Sequence, residues 1–195
     1  MKCLLIILIV FVIVVDSDTS KRLFLPQLPI GEYRVNVLGV IRCDSIQSND
    51  QIKFNLYLSK TSANTSEIKG NITNSVPVDD SLDVEINMAV KDSIGGWKEN
   101  AHIFKKSKAC SSIKSFFGDS WTQITDSLGI YNATCPIPAG LYRGPGLNTD
   151  EHLFSNFPKK FFYGTYKMRV HYEKNNIVYG CITFVLEVKR PWETD

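Results

Sequence analysis

Strict alternation of apolar and polar residues between positions 82 and 90 is the feature that most constrains the fold. Its apolar members share one face of an extended chain, and polar residues stand between them: Leu82, Val84, Ile86, Met88 and Val90, with Asp83, Glu85 and Asn87 in the gaps. A period of two over this length is typical of a strand with one buried and one solvated face. The chain is therefore predicted to form sheets that must cover their apolar faces.

The same period appears in three further stretches: residues 33–41, 52–58 and 166–172. Gly95-Gly96 predicts a turn into a returning strand, and the polar residues 173–176 predict another turn near the end of the chain. The segment that follows, residues 177–188, is apolar on both faces and is predicted to lie inside its sheet rather than at an edge.

Residues 110–128 depart from this pattern. Their apolar residues are spaced as in a helix, and Gly118 interrupts them, so we expect one or two short helices. The sequence shows neither an internal repeat nor a composition shift that would indicate a second domain. The predicted fold class is all-β, an antiparallel immunoglobulin-like β-sandwich with these short helices added.

The N-terminal segment predicts the compartment. Lys2 precedes an uninterrupted apolar run at residues 3–15, which is too short to span a bilayer as a helix but suits a secretory signal. We expect residues 1–17 to be a signal peptide and residues 18–195 to form a single domain. The alternative is an anchor that is not cleaved.

Four cysteines follow this segment: Cys43, Cys110, Cys135 and Cys181. An even number in a secreted chain predicts two disulfides, and three pairings are compatible with the count. The spacings match no zinc site, and the three histidines, His102, His152 and His171, are scattered. We therefore expect no metal and no cofactor, and histidines that lie on strand surfaces or loops.

Glycosylation sequons begin at Asn64, Asn71 and Asn132. All three lie in polar or turn-like stretches, where a glycan could face water. They agree with secretion, either to the extracellular fluid or to the lysosome. The net charge of +2 argues against a nucleic-acid partner and against strong attraction to anionic membranes, although transient membrane contact stays open.

Gly118-Asp119-Ser120 resembles the block that opens one class of secreted esterases. A nucleophilic serine needs a base and an orienting group, and here the block lies mid-chain with no correctly spaced Asp and His near the C-terminus. We expect no enzymatic activity. The block is interpreted as a helix-breaking turn in which Asp119 or Ser120 caps the next helix.

Aromatic residues are concentrated outside the predicted strands. One group lies in the predicted helical region and another in a loop broken by Pro158: Phe116, Phe117 and Trp121, then Phe154, Phe157, Phe161 and Phe162. These rings either plug an open end of the sandwich or line a pocket for an apolar ligand, because both arrangements bury the same area. Lys159 and Lys160 beside them could meet an anionic head group or form a solvated flank.

The order of short motifs in the C-terminal third carries a family resemblance. The motifs are Cys135-Pro136, Gly140-Leu141-Tyr142, Phe157-Pro158, Gly164-Thr165-Tyr166 and Gly180-Cys181-Ile182. Across residues 130–190 the chain resembles the GM2 activator-like proteins and the related MD-2-related lipid-recognition (ML-like) families, including the insect CheB-type chemosensory proteins.

The resemblance implies a β-sandwich or cup with an apolar cavity between two sheets that holds a lipid. It also implies the disulfide pairs Cys43–Cys181 and Cys110–Cys135, and no catalysis. The chain has fewer cysteines than the GM2 activator, which favours the broader insect families over ganglioside presentation to a lysosomal hydrolase.

These observations predict a secreted, non-enzymatic carrier of a lipid or other hydrophobic small molecule, with a receptor or a lipid hydrolase as a further possible partner. The residues expected to line the cavity and its mouth are Phe54, Leu56, Val84, Ile86, Met88, Phe116, Phe117, Trp121, Tyr142, Phe154, Phe157, Phe161, Phe162 and Met168. The alternative is a secreted protein-interaction module with a solid core and exposed aromatic loops.

Overall fold

The computed structural model describes residues 29–43, 51–62, 65–149 and 156–193. The predicted signal peptide, Asn64, His152 and Phe154 lie outside these residues. The strands are β1 (Ile30–Gly31), β2 (Arg34–Arg42), β3 (Ile52–Lys60), β4 (Ser66–Asn74), β5 (Asp83–Lys91), β6 (Trp97–Lys106), β7 (Gly140–Tyr142), β8 (Leu147–Asn148), β9 (Phe161–Phe162), β10 (Gly164–Lys174) and β11 (Ile177–Lys189). The helices are α1 (Ala109–Phe117) and α2 (Trp121–Ser127).

Five strands form the larger sheet, in the order β2-β11-β10-β5-β6, and every neighbouring pair is antiparallel. The predicted interior position of the last strand is confirmed, because β11 lies between β2 and β10. Asn175 and Asn176 join β10 to β11 with φ of 53° and 61°. Two consecutive positive φ values are what a tight hairpin turn requires, and asparagine tolerates them well.

The second sheet has the order β3-β4-β7, and β8 pairs with another part of β4. β1 and β9 form a separate two-stranded ladder. Side chains from both larger sheets pack into one core, among them Ile52 of β3 and Ile86, Met168 and Ile182 of the larger sheet. The predicted antiparallel β-sandwich is confirmed.

The alternation predicted for residues 33–41 is interrupted by a β-bulge. Val37 pairs with Leu186, and the next pair along is Gly39 with Val185, so Leu38 is an extra residue on β2. A bulge adds one residue to the strand, so the side chains that follow it point to the opposite face from the one that simple alternation predicts. As a result Val40 packs against the core and Ile41 is 41% exposed, whereas straight alternation from Val37 would bring Ile41 inward.

The predicted helical region contains two short helices, and Gly118–Ser120 forms a 3₁₀ turn between them. Gly118 ends α1 with a φ of 54°, which explains why the helical spacing breaks there. Ser120 occupies the N-cap of α2 without a side-chain capping hydrogen bond to the described residues, so the capping prediction is wrong. Within the described ranges no helix is long and apolar enough to cross a membrane.

Both disulfides have the pairing that the family resemblance implies. Cys43 is joined to Cys181 with the Cα atoms 5.9 Å apart, and Cys110 to Cys135 with 5.8 Å. The first ties the end of β2 to β11, and the second ties α1 to the segment before β7. The two other pairings that the cysteine count allows are excluded.

The proline-rich segment after Cys135 forms a corner at the edge of the second sheet. Ile137, between Pro136 and Pro138, makes a single antiparallel bridge with Val78. Proline lacks a backbone donor, which restricts it to such edge positions. The Tyr142 hydroxyl donates to the Pro138 carbonyl oxygen and closes the corner as the chain enters β7.

Candidate ligand-binding site

Two apolar cavities lie in the sandwich. We call the first the inner cavity; it has a volume of about 170 Å³. Strands of both sheets and both helices line it: Val37, Phe54, Leu56, Ile68, Ile72, Ile86, Ile113, Phe116, Phe117, Ile124, Leu128, Leu147, Met168, Val170, Tyr172, Ile182, Phe184 and Leu186. These side chains are all buried or half-buried.

The second, which we call the outer cavity, also has a volume of about 170 Å³. Its lining is Tyr33, Val35, Ile86, Met88, His102, Ile103, Phe104, Phe116, Phe157, Pro158, Phe161, Met168, Leu186 and Val188. Ile103 is 56% exposed, and Phe104 and Pro158 are also exposed. The outer cavity therefore reaches the protein surface beside β6 and the segment before β9.

One layer of side chains separates the two cavities. Ile86, Phe116, Met168 and Leu186 line both of them. Three of these four lie on strands of the larger sheet, where the ladder fixes their backbone. Phe116 comes from α1, near its C-terminal end. We call these four residues the partition.

The Phe116 ring is the centre of an aromatic group at the partition. Its centroid lies 4.2 Å from that of Phe157, 5.6 Å from that of Phe117 and 5.8 Å from that of Phe104. Asn156 Nδ2 donates to the Ser115 carbonyl oxygen at 2.7 Å and fixes the Phe157 segment to α1. Tilted contacts at these separations are favourable for aromatic rings. The helix and the segment before β9 thus meet directly over the partition.

Tyr172 contributes its ring to the wall of the inner cavity. Of the described residues that line this cavity, it is the one whose side chain carries a hydroxyl. Its ring stacks on Phe54 of the opposite sheet, with centroids 6.2 Å apart and planes 22° from parallel. Burial in these apolar surroundings raises the pKa of Tyr172 to about 12.

Nine of the residues predicted from the sequence line one of the cavities. Those on the inner cavity are Phe54, Leu56, Ile86, Phe116, Phe117 and Met168. Three of these six, Ile86, Phe116 and Met168, also line the outer cavity. Met88, Phe157 and Phe161 line the outer cavity alone. The two aromatic segments were predicted to lie near each other at an entrance, and the structure brings them together at Phe116 and Phe157.

Four predicted lining residues do not line either cavity. Val84 is fully buried in the packed core. Trp121 is buried in the core, and its Nε1 donates to the Ala133 carbonyl oxygen at 3.0 Å. Tyr142 closes the proline corner, and Phe162 of β9 is 45% exposed. An apolar residue on the inward face of a strand or helix can thus pack against its neighbours instead of bordering a void.

Both described histidines lie on strands, and His102 is half-buried whereas His171 is buried. His102 lines the outer cavity, and its ring lies 5.1 Å from Phe161 and 5.8 Å from Phe162 between centroids. His171 is buried, with Nε2 3.3 Å from Glu173 Oε2. Of the two, only His171 departs from the predicted surface position, and the polar residues beside it in the sequence give no signal for its burial.

The sequence reasoning missed most of the wall that the second sheet supplies. Ile68 and Ile72 of β4 line the inner cavity, together with Leu147 of β8 and Leu128, which directly follows α2. Gly70 lies between the two isoleucines on the same face, so the apolar period in β4 is weak. A pattern of two apolar positions separated by glycine is the signal that could have identified this strand.

The described residues contain no group of three or more His, Cys, Asp or Glu side chains that could hold a metal ion. Ser120, from the Gly-Asp-Ser block, is 8% exposed in the turn between the helices. Neither cavity has this serine in its lining.

No protein-family model matches the chain, and no curated protein matches its sequence. The family resemblance therefore rests on the motifs of residues 130–190 alone, and it enters below as part of a proposal.

Proposed function

We propose that this chain is a secreted, non-enzymatic carrier that holds a lipid or another hydrophobic small molecule between its two sheets, as the ML-like and GM2 activator-like proteins do. The observation that carries the proposal is the pair of adjacent apolar cavities with the shared partition. The outer one reaches the surface, so it provides a route of entry towards the inner one.

The size of the cavities supports a binding role. Protein interiors are normally packed as densely as organic crystals, with few voids larger than a water molecule. An apolar cavity of about 150 Å³ stays dry and takes up benzene. Each cavity here has about 170 Å³, and the two together match the smaller ligand pockets, which begin at roughly 300 Å³. Burial of an apolar ligand there would contribute about 25 cal/mol per Å² removed from water.

The disulfides support the secretory part of the proposal. Disulfides persist in oxidising compartments and are rare in the cytosol. The carrier would act in the extracellular fluid or the lysosome, and it would deliver its ligand to a membrane, a receptor or a lipid hydrolase.

A cavity-filling variant gives the sharpest test. Leu56 faces the inner cavity from β3, and its neighbour Tyr57 points to solvent. We expect protein isolated from its own source to carry a lipid in native mass spectrometry. We also expect the wild type to bind a neutral fluorescent lipid probe, and an unlabelled lipid to displace that probe saturably. Leu56→Trp should abolish displacement, whereas Tyr57→Trp should leave it unchanged.

Circular dichroism and thermal unfolding would confirm that both variants are folded. Absence of a co-purifying lipid together with absence of saturable displacement by the wild type would overturn the carrier proposal. Equal displacement by Leu56→Trp and the wild type would place the ligand elsewhere.

The second candidate is a secreted protein-interaction module. The apolar side chains exposed around β9 and β6 favour it, in particular Ile30, Ile103 and Phe162. For this candidate, Phe162→Ala should weaken binding to a protein partner and leave lipid displacement unchanged. The presence of the two cavities counts against the solid core that this alternative requires.

A further inference from the structure

We infer that the ligand is an amphiphile with an anionic head group, and that this head group binds in a groove beside the outer cavity, where Lys106 and Lys108 compensate its charge. The inference rests on the proposed carrier function and names the chemistry of its ligand. It follows from the position of the groove, from its charges and from the way β6 joins it to the outer cavity.

The groove lies between the end of β6 and α1. It has a volume of about 490 Å³, within the range of ligand pockets. Of its described lining residues two are aromatic, Phe104 and Phe116, and the others are lysine, serine and asparagine. Both rings also line the outer cavity, so the groove and the outer cavity share an aromatic border.

One face of β6 leads from the outer cavity into the groove. Alternate residues of β6 lie opposite inward-facing residues of β5, in the pairs His102 with Met88, Phe104 with Ile86 and Lys106 with Val84. His102 lines the outer cavity, Phe104 lines both spaces and Lys106 lines the groove. Successive members of this series are about 7 Å apart along a strand. A molecule whose tail fills the outer cavity can therefore place its head group beside Lys106 as it passes over Phe104.

The first turns of α1 supply the other wall of the groove. Its lining residues there follow the helical spacing i, i+3, i+4 and i+7, and so share one face: Lys108, Ser111, Ser112 and Ser115. This polar face lies beside the aromatic border, because the next residue of the helix is Phe116. The helix therefore also joins a polar surface to an apolar one.

The charge of the groove is positive. Neither aspartate nor glutamate is among its described lining residues, and neither Lys106 nor Lys108 forms an ion pair with a described residue. The Lys106 ammonium lies 5.7 Å from the centroid of the Phe104 ring. This contact holds the positive charge at the border with the outer cavity.

One acidic residue, Asp80, borders the groove through Ser111. It accepts hydrogen bonds from the Ser111 backbone N–H at 2.9 Å and from the Ser111 hydroxyl at 2.6 Å. These bonds are the main cause of a pKa of Asp80 below its ordinary value, and the charge of Lys108 is a smaller cause. Asp80 thus offsets part of the charge of Lys108, and Lys106 is the principal cation of the groove.

The donors of the groove suit an oxyanion. The Ser112 hydroxyl donates to the Ser107 carbonyl oxygen at 2.8 Å, whereas the exposed Ser115 hydroxyl and both ammonium groups can donate to a ligand. Charge-assisted hydrogen bonds to a carboxylate or a phosphate are stronger than bonds to a neutral group. A cationic head group would instead meet two like charges. The head group is therefore an oxyanion at the end of an apolar tail.

The test compares three compounds with the same tail in displacement of a neutral fluorescent probe at neutral pH and low salt: dodecan-1-ol, dodecanoate and dodecyl phosphate. Each is measured with the wild type and with the double variant Lys106→Gln and Lys108→Gln. We expect the variant to bind the two anions about fivefold more weakly, which corresponds to about 1 kcal/mol. Binding of dodecan-1-ol should change by less than about twofold. The anion with the larger loss identifies the head group as a carboxylate or a phosphate.

The matched control is the double variant Lys159→Gln and Lys160→Gln. It removes the same charge close to the outer cavity, next to Pro158 and Phe161, but neither lysine lines a cavity or the groove. Its ratio of anion to alcohol affinity should stay within about twofold of the wild-type ratio. An equal fall of the ratio in both double variants would show that surface charge acts diffusely, and would overturn the inference.

Three other results would also overturn the inference while the carrier function stands. They are an unchanged ratio in the Lys106 and Lys108 variant, an equal loss for the alcohol and the anions, and displacement from the wild type by dodecan-1-ol alone. If the wild type bound no probe and none of the three compounds, the carrier proposal would fail, and the inference would fail with it.

Discussion

The rings of Phe116 and Phe157 lie 4.2 Å apart between centroids, with their planes tilted by 55°. Phe116 belongs to the partition between the two cavities, and Phe157 lies in the segment before β9 that borders the outer cavity. The contact therefore couples the wall between the cavities to their mouth.

Replacement of Phe116 should join the cavities. We expect Phe116→Ala to lower the free energy of unfolding by about 2–4 kcal/mol, because a half-buried ring is lost and its space is left empty. Binding of probes too bulky for either cavity alone should strengthen. Urea denaturation and probe displacement would measure the two effects. Phe162→Ala removes an exposed ring and should change stability by less than about 0.5 kcal/mol; similar losses in both variants would contradict the prediction.

The Cys110–Cys135 disulfide holds α1 against the proline corner. Removing it with Cys110→Ser and Cys135→Ser should cost roughly 3 kcal/mol in the chain-entropy model, since the bridge closes a separation of 25 residues. Probe binding should weaken too, because α1 carries Ile113, Phe116 and Phe117 of the inner cavity. Urea denaturation with probe titration would test both effects.

The matched comparison is removal of the Cys43–Cys181 disulfide. It closes a separation of 138 residues, so its loss should cost more, roughly 5 kcal/mol. It should affect probe binding less per unit of lost stability, because neither cysteine lines a cavity. The reverse order of stability losses would count against this account.

Tyr172 should make the stability fall at alkaline pH. Burial raises its pKa from 10.0 to about 12, so the folded protein keeps a proton that the unfolded chain releases. The stabilisation is complete below pH 10 and is lost as the pH rises towards 12. The loss is on the order of 2 kcal/mol. Denaturation of the wild type and Tyr172→Phe across this range would measure it, and parallel curves would refute it.

Glu173 should have the opposite effect at acidic pH. A hydrogen bond from Lys105 Nζ holds the pKa of Glu173 below its ordinary 4.5, despite the partial burial of the carboxylate. Its stabilisation is therefore present above pH 4.5 and is lost as the pH falls through the lowered pKa. Since Lys105 is half exposed, the contribution should be below about 1 kcal/mol.

The test compares thermal unfolding of the wild type and Glu173→Gln from neutral pH to below pH 4.5. We expect the two melting temperatures to converge in acid. A difference that stays constant, or that widens as the pH falls, would show that Glu173 does not titrate in this way.

The glycosylation sequons differ in accessibility. Asn132 is exposed in a turn with a φ of 52°. Asn71 lies within β4, and its Oδ1 accepts a hydrogen bond from Asn55 Nδ2 at 3.1 Å. We expect secreted protein to carry a glycan at Asn132 at higher occupancy than at Asn71, because a loop is more accessible than a paired strand. Mass spectrometry after treatment with a glycosidase would measure the occupancies, and higher occupancy at Asn71 would contradict the expectation.

The sequence by itself determined the strands of the larger sheet, β3 of the second sheet, and the fold class. Alternation at a period of two identifies β3, β5 and β10 because one face of each strand meets the core and the other meets water. The two-sided apolar character of β11 predicted its interior position for the same reason. The helical spacing of residues 110–128 and its break at Gly118 were likewise local properties of the chain.

Only the tertiary structure decided what the buried faces meet. Val84 and Ile86 are two residues apart on the same face of β5, yet Val84 is packed solidly and Ile86 borders both cavities. Alternation reports which side of a strand is covered, and it does not report whether the opposite sheet fills the space. The surroundings of the His102 ring and of the Tyr172 ring depend on residues more than 50 positions away in the sequence, such as Phe161 and Phe54. Long-range packing therefore decided the cavities, because voids arise where two sheets and a helix fail to interdigitate.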